Sequence, residues 1–157
     1  RVGGATELEI KERKSRAEDA LSATRAAMSE GIVPGAGTAF LHISEKVAAT
    51  RSSGDVRFGV QVVADALLEP TAQLARNCGF DGPAVVAEVM EYEDIKMGFD
   101  GVKGKVVDLV RAGVVDPTKV LRVALQNAAS VAGLYLTSDT AIADLGKDEA
   151  AVDGALV

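Results

Sequence analysis

Apolar residues recur at intervals of three and four along most of this chain, and glycine or proline interrupts them at regular points. The first stripe runs through Ala17, Ala20, Leu21, Thr24, Ala27 and Met28, with the threonine methyl standing in for one apolar contact. In front of it, Thr6-Glu7-Leu8-Glu9 has the spacing of a capping box, in which a hydroxyl and a carboxylate satisfy otherwise unpaired backbone N–H groups. Gly31 and Pro34 provide the stop, so the pattern predicts one long helix over residues 7–30. Gly35-Ala36-Gly37 opens a second apolar segment, Thr38 to Ala49, which Ser52-Ser53-Gly54 closes. Val60, Val63, Ala64 and Leu67 place a further helix over Asp55 to Leu68, Pro70 starts another that runs to Gly79, and Pro83 begins a short one through Met90.

Residues 94–104 break this rhythm: Met97-Gly98-Phe99-Asp100-Gly101-Val102 combines two glycines with an Asp-Gly turn signal, which predicts a hairpin or tight loop. A helix is expected from Val106 to Arg111, ended by Gly113. Asp116-Pro117 has the form of an N-cap followed by proline at the first helical position, and the helix it starts is expected to reach about Leu134. The small residues between Ala124 and Gly133 permit a neighbouring helix to approach closely. One strand is expected within Tyr135 to Ala143, and a mobile tail from Lys147. The fold class is therefore mainly α.

Composition narrows the function classes. A chain of 157 residues supports one ordinary domain, and 48% hydrophobic content with 4% aromatics indicates a core of small aliphatic side chains in packed helices. The net charge of -6 argues against a nucleic-acid partner, and the one basic run, Lys11, Arg13, Lys14 and Arg16, is interleaved with Glu7, Glu9 and Glu12 as on a solvated helix face. No apolar run approaches the roughly 18 residues that span a bilayer, and there is no signal-peptide pattern, so no membrane partner is expected. Cys78 and His42 stand alone in their kinds, too few for a disulfide or a Cys/His zinc site. Both lie in or at the end of apolar helical stretches, which predicts burial rather than a nucleophilic pair. Arg1-Val2-Gly3-Gly4 reads as the exit from a strand whose partners are absent, as in a fragment of a longer protein.

Candidate chemistry is sparse on spacing alone. Gly35-Ala36-Gly37 before a helix allows backbone N–H groups to approach a phosphate or base, but Phe40 stands where a dinucleotide fingerprint needs its third glycine, and no GxxxxGK[ST] occurs. Asp19 flanks the first apolar stripe, where a carboxylate can polarise water, help hold Mg²⁺ or serve simply as a solvated acid. Asp116 is an expected cap, and Asp100 an expected turn former.

The stretch from Ser15 to Ala27 (SRAEDALSATRAA), with Glu30-Gly31-Ile32-Val33-Pro34-Gly35-Ala36-Gly37 after it, closely resembles the group I (GroEL-type) chaperonins. Asn77-Cys78-Gly79, Gly113 to Val120 (GVVDPTKV) and Ala124 to Gly133 (ALQNAASVAG) resemble further chaperonin blocks in the same order, so the similarity covers Val2 to about Asp144. The resemblance implies that residues 1–30 are the returning part of an intermediate domain, 31–146 the C-terminal half of an equatorial ATP-binding domain, and 147–157 a tail. It implies a helical equatorial half with a small β-hairpin and a long intermediate-domain helix. It also implies ATP and Mg²⁺ as cofactors, with the main phosphate loop and most metal ligands outside this chain and no metal ligand assigned within it.

Carried over position by position, Asp19 resembles the catalytic acid that swings over the nucleotide and helps activate water. Gly35 and Ala36 match the glycine-rich nucleotide contact; Asp100, Gly101 and Val102 the loop beside the base; Val114 an apolar base contact; and Asp116 the ribose-binding acid. Ala36 stands where the family usually has glycine, and Asp100-Gly101 where Asn-Ala is common. Val33-Pro34-Gly35 with the Glu91 to Phe99 stretch is most similar to the plastid α-type subunits. The implied protein is an ATP-hydrolysing ring subunit that assists folding, with other chaperonin subunits in a double ring, a co-chaperonin and unfolded proteins as partners. Its implied location is the plastid stroma, with the bacterial cytoplasm as the alternative. The rival class is a stand-alone helical interaction module without ATPase activity.

Overall fold

The computed structural model describes residues 2–140 and Ile142. Seven helices and four short strands follow one another among them: α1 (Glu7–Glu30), β1 (Ile32–Pro34), α2 (Thr38–Ala48), α3 (Asp55–Ala66), α4 (Glu69–Asn77), α5 (Gly82–Met90), β2 (Met97–Asp100), β3 (Lys105–Asp108), α6 (Leu109–Ala112), β4 (Val115–Pro117) and α7 (Thr118–Leu136). The mainly helical expectation holds. The strands form two separate antiparallel pairs, β1 with β4 and β2 with β3. The residues up to Val123 make one unit, and those from Ala124 onward a second.

α1 begins as its sequence dictates: the Thr6 hydroxyl accepts from Glu9 N–H at 3.2 Å, while Glu9 Oε2 reaches back one residue further than a standard capping box and accepts from Ala5 N–H at 2.7 Å. None of its 24 residues is buried. A helix without a core face depends on its own side chains, and four i,i+4 ion pairs line this one: Glu7–Lys11, Glu9–Arg13, Glu12–Arg16 and Lys14–Glu18. Gly31 ends it at φ 80 and ψ -169, a region open essentially to glycine alone. Below this joint, Gly31 O accepts from Thr118 N–H at 3.1 Å, and the Arg122 guanidinium grips both oxygens of Glu30, at 3.0 and 2.6 Å.

The core lies under α2, α4, α5 and β2. Leu41, Ala72, Ala75, Val85, Val86, Val89 and Phe99 form one buried cluster. Small side chains allow α4 and α5 to close on each other: a Cβ added at Gly82 would come within 2.6 Å of Ala72 O. Asp81 starts α5 by accepting from Ala84 N–H at 3.3 Å. Phe99 is 2% exposed and meets Phe80 edge to face at 5.2 Å; removing one such side chain from water is worth about 1.5–3 kcal/mol.

Four expectations are corrected. Val106 to Arg111 is not one helix: Lys105–Asp108 is strand β3, whose β-branched Val106 and Val107 oppose Phe99 and Gly98, and the helix begins only after Asp108, which accepts from Arg111 N–H at 3.0 Å. Asp116 is not the cap of α7, because it lies within β4 opposite Val33 and the helix starts at Thr118. Cys78 is exposed rather than buried. Tyr135 and Leu136 continue α7, and Thr137 to Thr140 contain no strand; Ala141, Ala143 and the tail lie outside the described residues. Among the described residues no helix is long and apolar enough to cross a membrane.

Candidate functional site

The β1–β4 ladder creates the densest grouping of the candidate residues. Its register, Ile32 to Pro117, Val33 to Asp116 and Pro34 to Val115, is continued by Gly35 N–H, which donates to Val114 O at 3.0 Å. A Cβ at Gly35 would meet Val114 Cγ1 at 3.1 Å, so glycine lets the two backbones touch. The chain then turns through Ala36 at φ 56 and Gly37 at φ 74 into α2. Gly35 O accepts from Thr38 N–H, Gly37 O from Phe40 N–H, and Ala36 O from the Thr71 hydroxyl of α4. Among the described residues nothing accepts from the N–H groups of Ala36 and Gly37. Two successive N–H groups at the entry to α2 are thus unspent, as donors at a helix start commonly are, and are open to an acceptor from a ligand.

Asp116 lies further along the same ladder, opposite Val33, half-buried, and its carboxyl has no hydrogen-bond or ion-pair partner among the described residues. Burial alone pushes its carboxyl above the ordinary range. A carboxylate in this position is short of donors, and a ligand hydroxyl would supply them. Gly35, Ala36, Val114 and Asp116, separated by up to 81 residues in sequence, thus share one end of the fold.

Asp100, Gly101 and Val102 form a second locus at the β2–β3 turn. Asp100 is 6% exposed and fully engaged: its Oδ1 accepts from the N–H groups of Val102 and Lys103 at 3.0 and 3.2 Å, and its Oδ2 lies 2.9 Å from Lys103 Nζ. The Lys103 ammonium, followed by its backbone N–H, holds the Asp100 carboxyl below its usual range, against an opposing effect of burial. Asp100 therefore braces the turn and offers a ligand little, while Val102 is almost wholly exposed. Helix α4 spans the two loci: Thr71 lies against Gly37, and Cys78 lies against Gly101. Seven residues of helix separate those contacts, roughly 10 Å.

Asp19 joins neither locus. It is exposed on α1, eleven residues before Glu30 and so roughly 16 Å along the helix. No three His, Cys, Asp or Glu residues group as a metal site among the described residues. Sequence reasoning missed Thr71 and the Glu30–Arg122 pair, because neither a contact across 35 residues nor one across 92 leaves a local signature.

Residues 1–145 match the TCP-1/cpn60 chaperonin family. The chain belongs to that family. The crystal structure of a group III chaperonin in the open state is similar to it, with a TM-score of 0.79 and 32% identity over 90% of this chain. The similarity covers 30% of that chaperonin, so the present chain spans about a third of its length. The chaperonin resemblance drawn from the sequence blocks thus stands at family level, and the mostly helical architecture with small antiparallel strand pairs is the fold it implied.

Proposed function

We propose that this chain is the nucleotide-binding part of an ATP-dependent chaperonin subunit. The observation that carries the reading is the gathering of Gly35, Ala36, Val114 and a partnerless, half-buried Asp116 by the β1–β4 ladder in a chain of this family. The turn at Ala36 and Gly37 binds phosphate or base edge through its unspent N–H groups, Val114 gives an apolar contact, and Asp116 accepts from ribose hydroxyls. Gly101 and Val102 line the base from the other end of α4, on the turn that Asp100 braces. Residues 1–30 belong to an intermediate domain, 31–146 to the equatorial domain, and 147–157 to a tail.

Asp19 is the acid that orients and deprotonates the attacking water once α1 turns on Gly31 toward the nucleotide. The described residues do not themselves form a Mg²⁺ site. The blocks quoted above support a group I assignment of the plastid α type, with a double ring, a co-chaperonin, unfolded client proteins and a stromal location. An assembled ring that binds no co-chaperonin would remove the group I part of this reading and leave the family untouched.

The test is made in the complete protein. Asp19→Ala should leave ATP binding nearly intact while slowing hydrolysis roughly 10²- to 10⁴-fold, the range for lost acid–base assistance. The present chain alone should bind nucleotide weakly and hydrolyse none above a protein-free blank. Equal loss of binding and hydrolysis in Asp19→Ala makes Asp19 a ground-state ligand, and a complete protein without ATP binding leaves the helical interaction module in its place.

A further inference from the structure

Thr71 is fully buried in the first turn of α4, and its hydroxyl donates to Ala36 O at 3.0 Å. This is the one hydrogen bond that Ala36 O receives among the described residues. The carbonyl of Ala36 and the N–H of Gly37 belong to a single planar peptide and point in opposite directions. A group that holds the carbonyl therefore aims the N–H. Gly37 N–H is one of the two unspent donors of the turn, and its neighbour Ala36 is held at φ 56, a conformation that alanine avoids. Without an anchor on its carbonyl, that peptide plane is free to rotate and carry the donor away.

We infer that Thr71 is a positioning residue that aims the Gly37 N–H into the nucleotide site by anchoring the Ala36–Gly37 peptide plane. The inference rests on the nucleotide reading above and adds to it a determinant on α4, outside the loops. It also accounts for the alanine at position 36: the hydroxyl supplies the restraint that makes a left-handed alanine tolerable where glycine is usual.

In the complete protein, Thr71→Val should raise the ATP KM about three- to tenfold, while kcat at saturating ATP changes by less than about twofold. Thr71→Ser keeps the hydroxyl and should return the KM to the unsubstituted value. Combined with Ala36→Gly, which adopts the left-handed turn without restraint, Thr71→Val should raise the KM about twofold or less. Nucleotide-free melting of each variant separates aiming from folding, and Thr71→Ala set against Thr71→Ser supplies the same contrast if Thr71→Val does not fold. An unchanged KM without the hydroxyl, no recovery in Thr71→Ser, or equal effects with and without Ala36→Gly overturns the inference while the nucleotide reading stands. An unsubstituted protein that binds no ATP overturns both.

Discussion

Ala36 and Gly37 adjoin in the turn from β1 to α2 and should respond in opposite directions to one methyl group. Ala36 sits at φ 56, where an L residue is disfavoured by about 1–2 kcal/mol. Ala36→Gly removes that strain and gives back about 0.4–1 kcal/mol through a freer unfolded chain, leaving a net gain of about 0.5–1 kcal/mol. Gly37 sits at φ 74, and a Cβ there would lie 2.7 Å from Thr71 Oγ1 and 3.1 Å from Thr71 N. Gly37→Ala therefore combines the same backbone strain with the overpacking of a buried helical turn, about 1–3 kcal/mol more. After the unfolded-chain effect is subtracted, it should lose roughly 2–4 kcal/mol. At about 2–4 °C per kcal/mol, thermal melts should rise by a few degrees in Ala36→Gly and fall by roughly 5–15 °C in Gly37→Ala. Urea midpoints give the same comparison at constant temperature. A lowered midpoint in Ala36→Gly, or a Gly37→Ala variant within about 0.5 kcal/mol of the parent, would refute the geometry from which these magnitudes are built.

Two further tests concern charge. Burial holds the Asp116 carboxyl above its ordinary value of 3.8, so the folded protein keeps this proton longer than the unfolded chain does. Its contribution to stability is fully present below that value and declines as pH rises through the raised one; Asp116→Asn should flatten this part of a urea-midpoint series on the alkaline side of 3.8, and an unchanged slope would show that Asp116 is not the titrating group. Glu30 has the opposite sign, since the hydrogen bonds from Arg122 lower its carboxyl below 4.5. The stability it adds is present above 4.5 and lost as pH falls through the lowered value, so Glu30→Gln should abolish that acid-side loss and increase hydrogen exchange at the Thr118 N–H, and unaltered exchange there would mean the pair does not hold the joint.

The helices were legible because their limits are chemical. Thr6, Gly31, Pro70 and Pro83 mark ends that the structure places within a residue or two of the sequence pattern. β1 and β4 were not legible, because three residues cannot display alternation and the partner of Val33 lies 83 residues further on. Asp116 misleads for the same reason: Asp-Pro before a helix has a local meaning, and the pairing with Val33 overrides it. Val106 and Val107 suit a helix as well as a strand on sequence, because four residues support either period, and only the opposing Phe99 and Gly98 decide between them. Within the candidate site, the glycines were visible as glycines, but the left-handed turn at Ala36 was not, since alanine carries no such signal.

A rod of 24 residues fixed at one end is a lever, and α1 has the dimensions of one. At 1.5 Å per residue it extends roughly 36 Å from Gly31, so a turn of about 10° at that glycine sweeps the Thr6 end through roughly 6 Å. The same turn moves the backbone at Asp19 by roughly 3 Å, about the length of one hydrogen bond. Small angles at a single residue therefore decide whether that carboxylate is within reach of anything below it, and the ion pairs along the shaft stiffen the arm rather than fasten it.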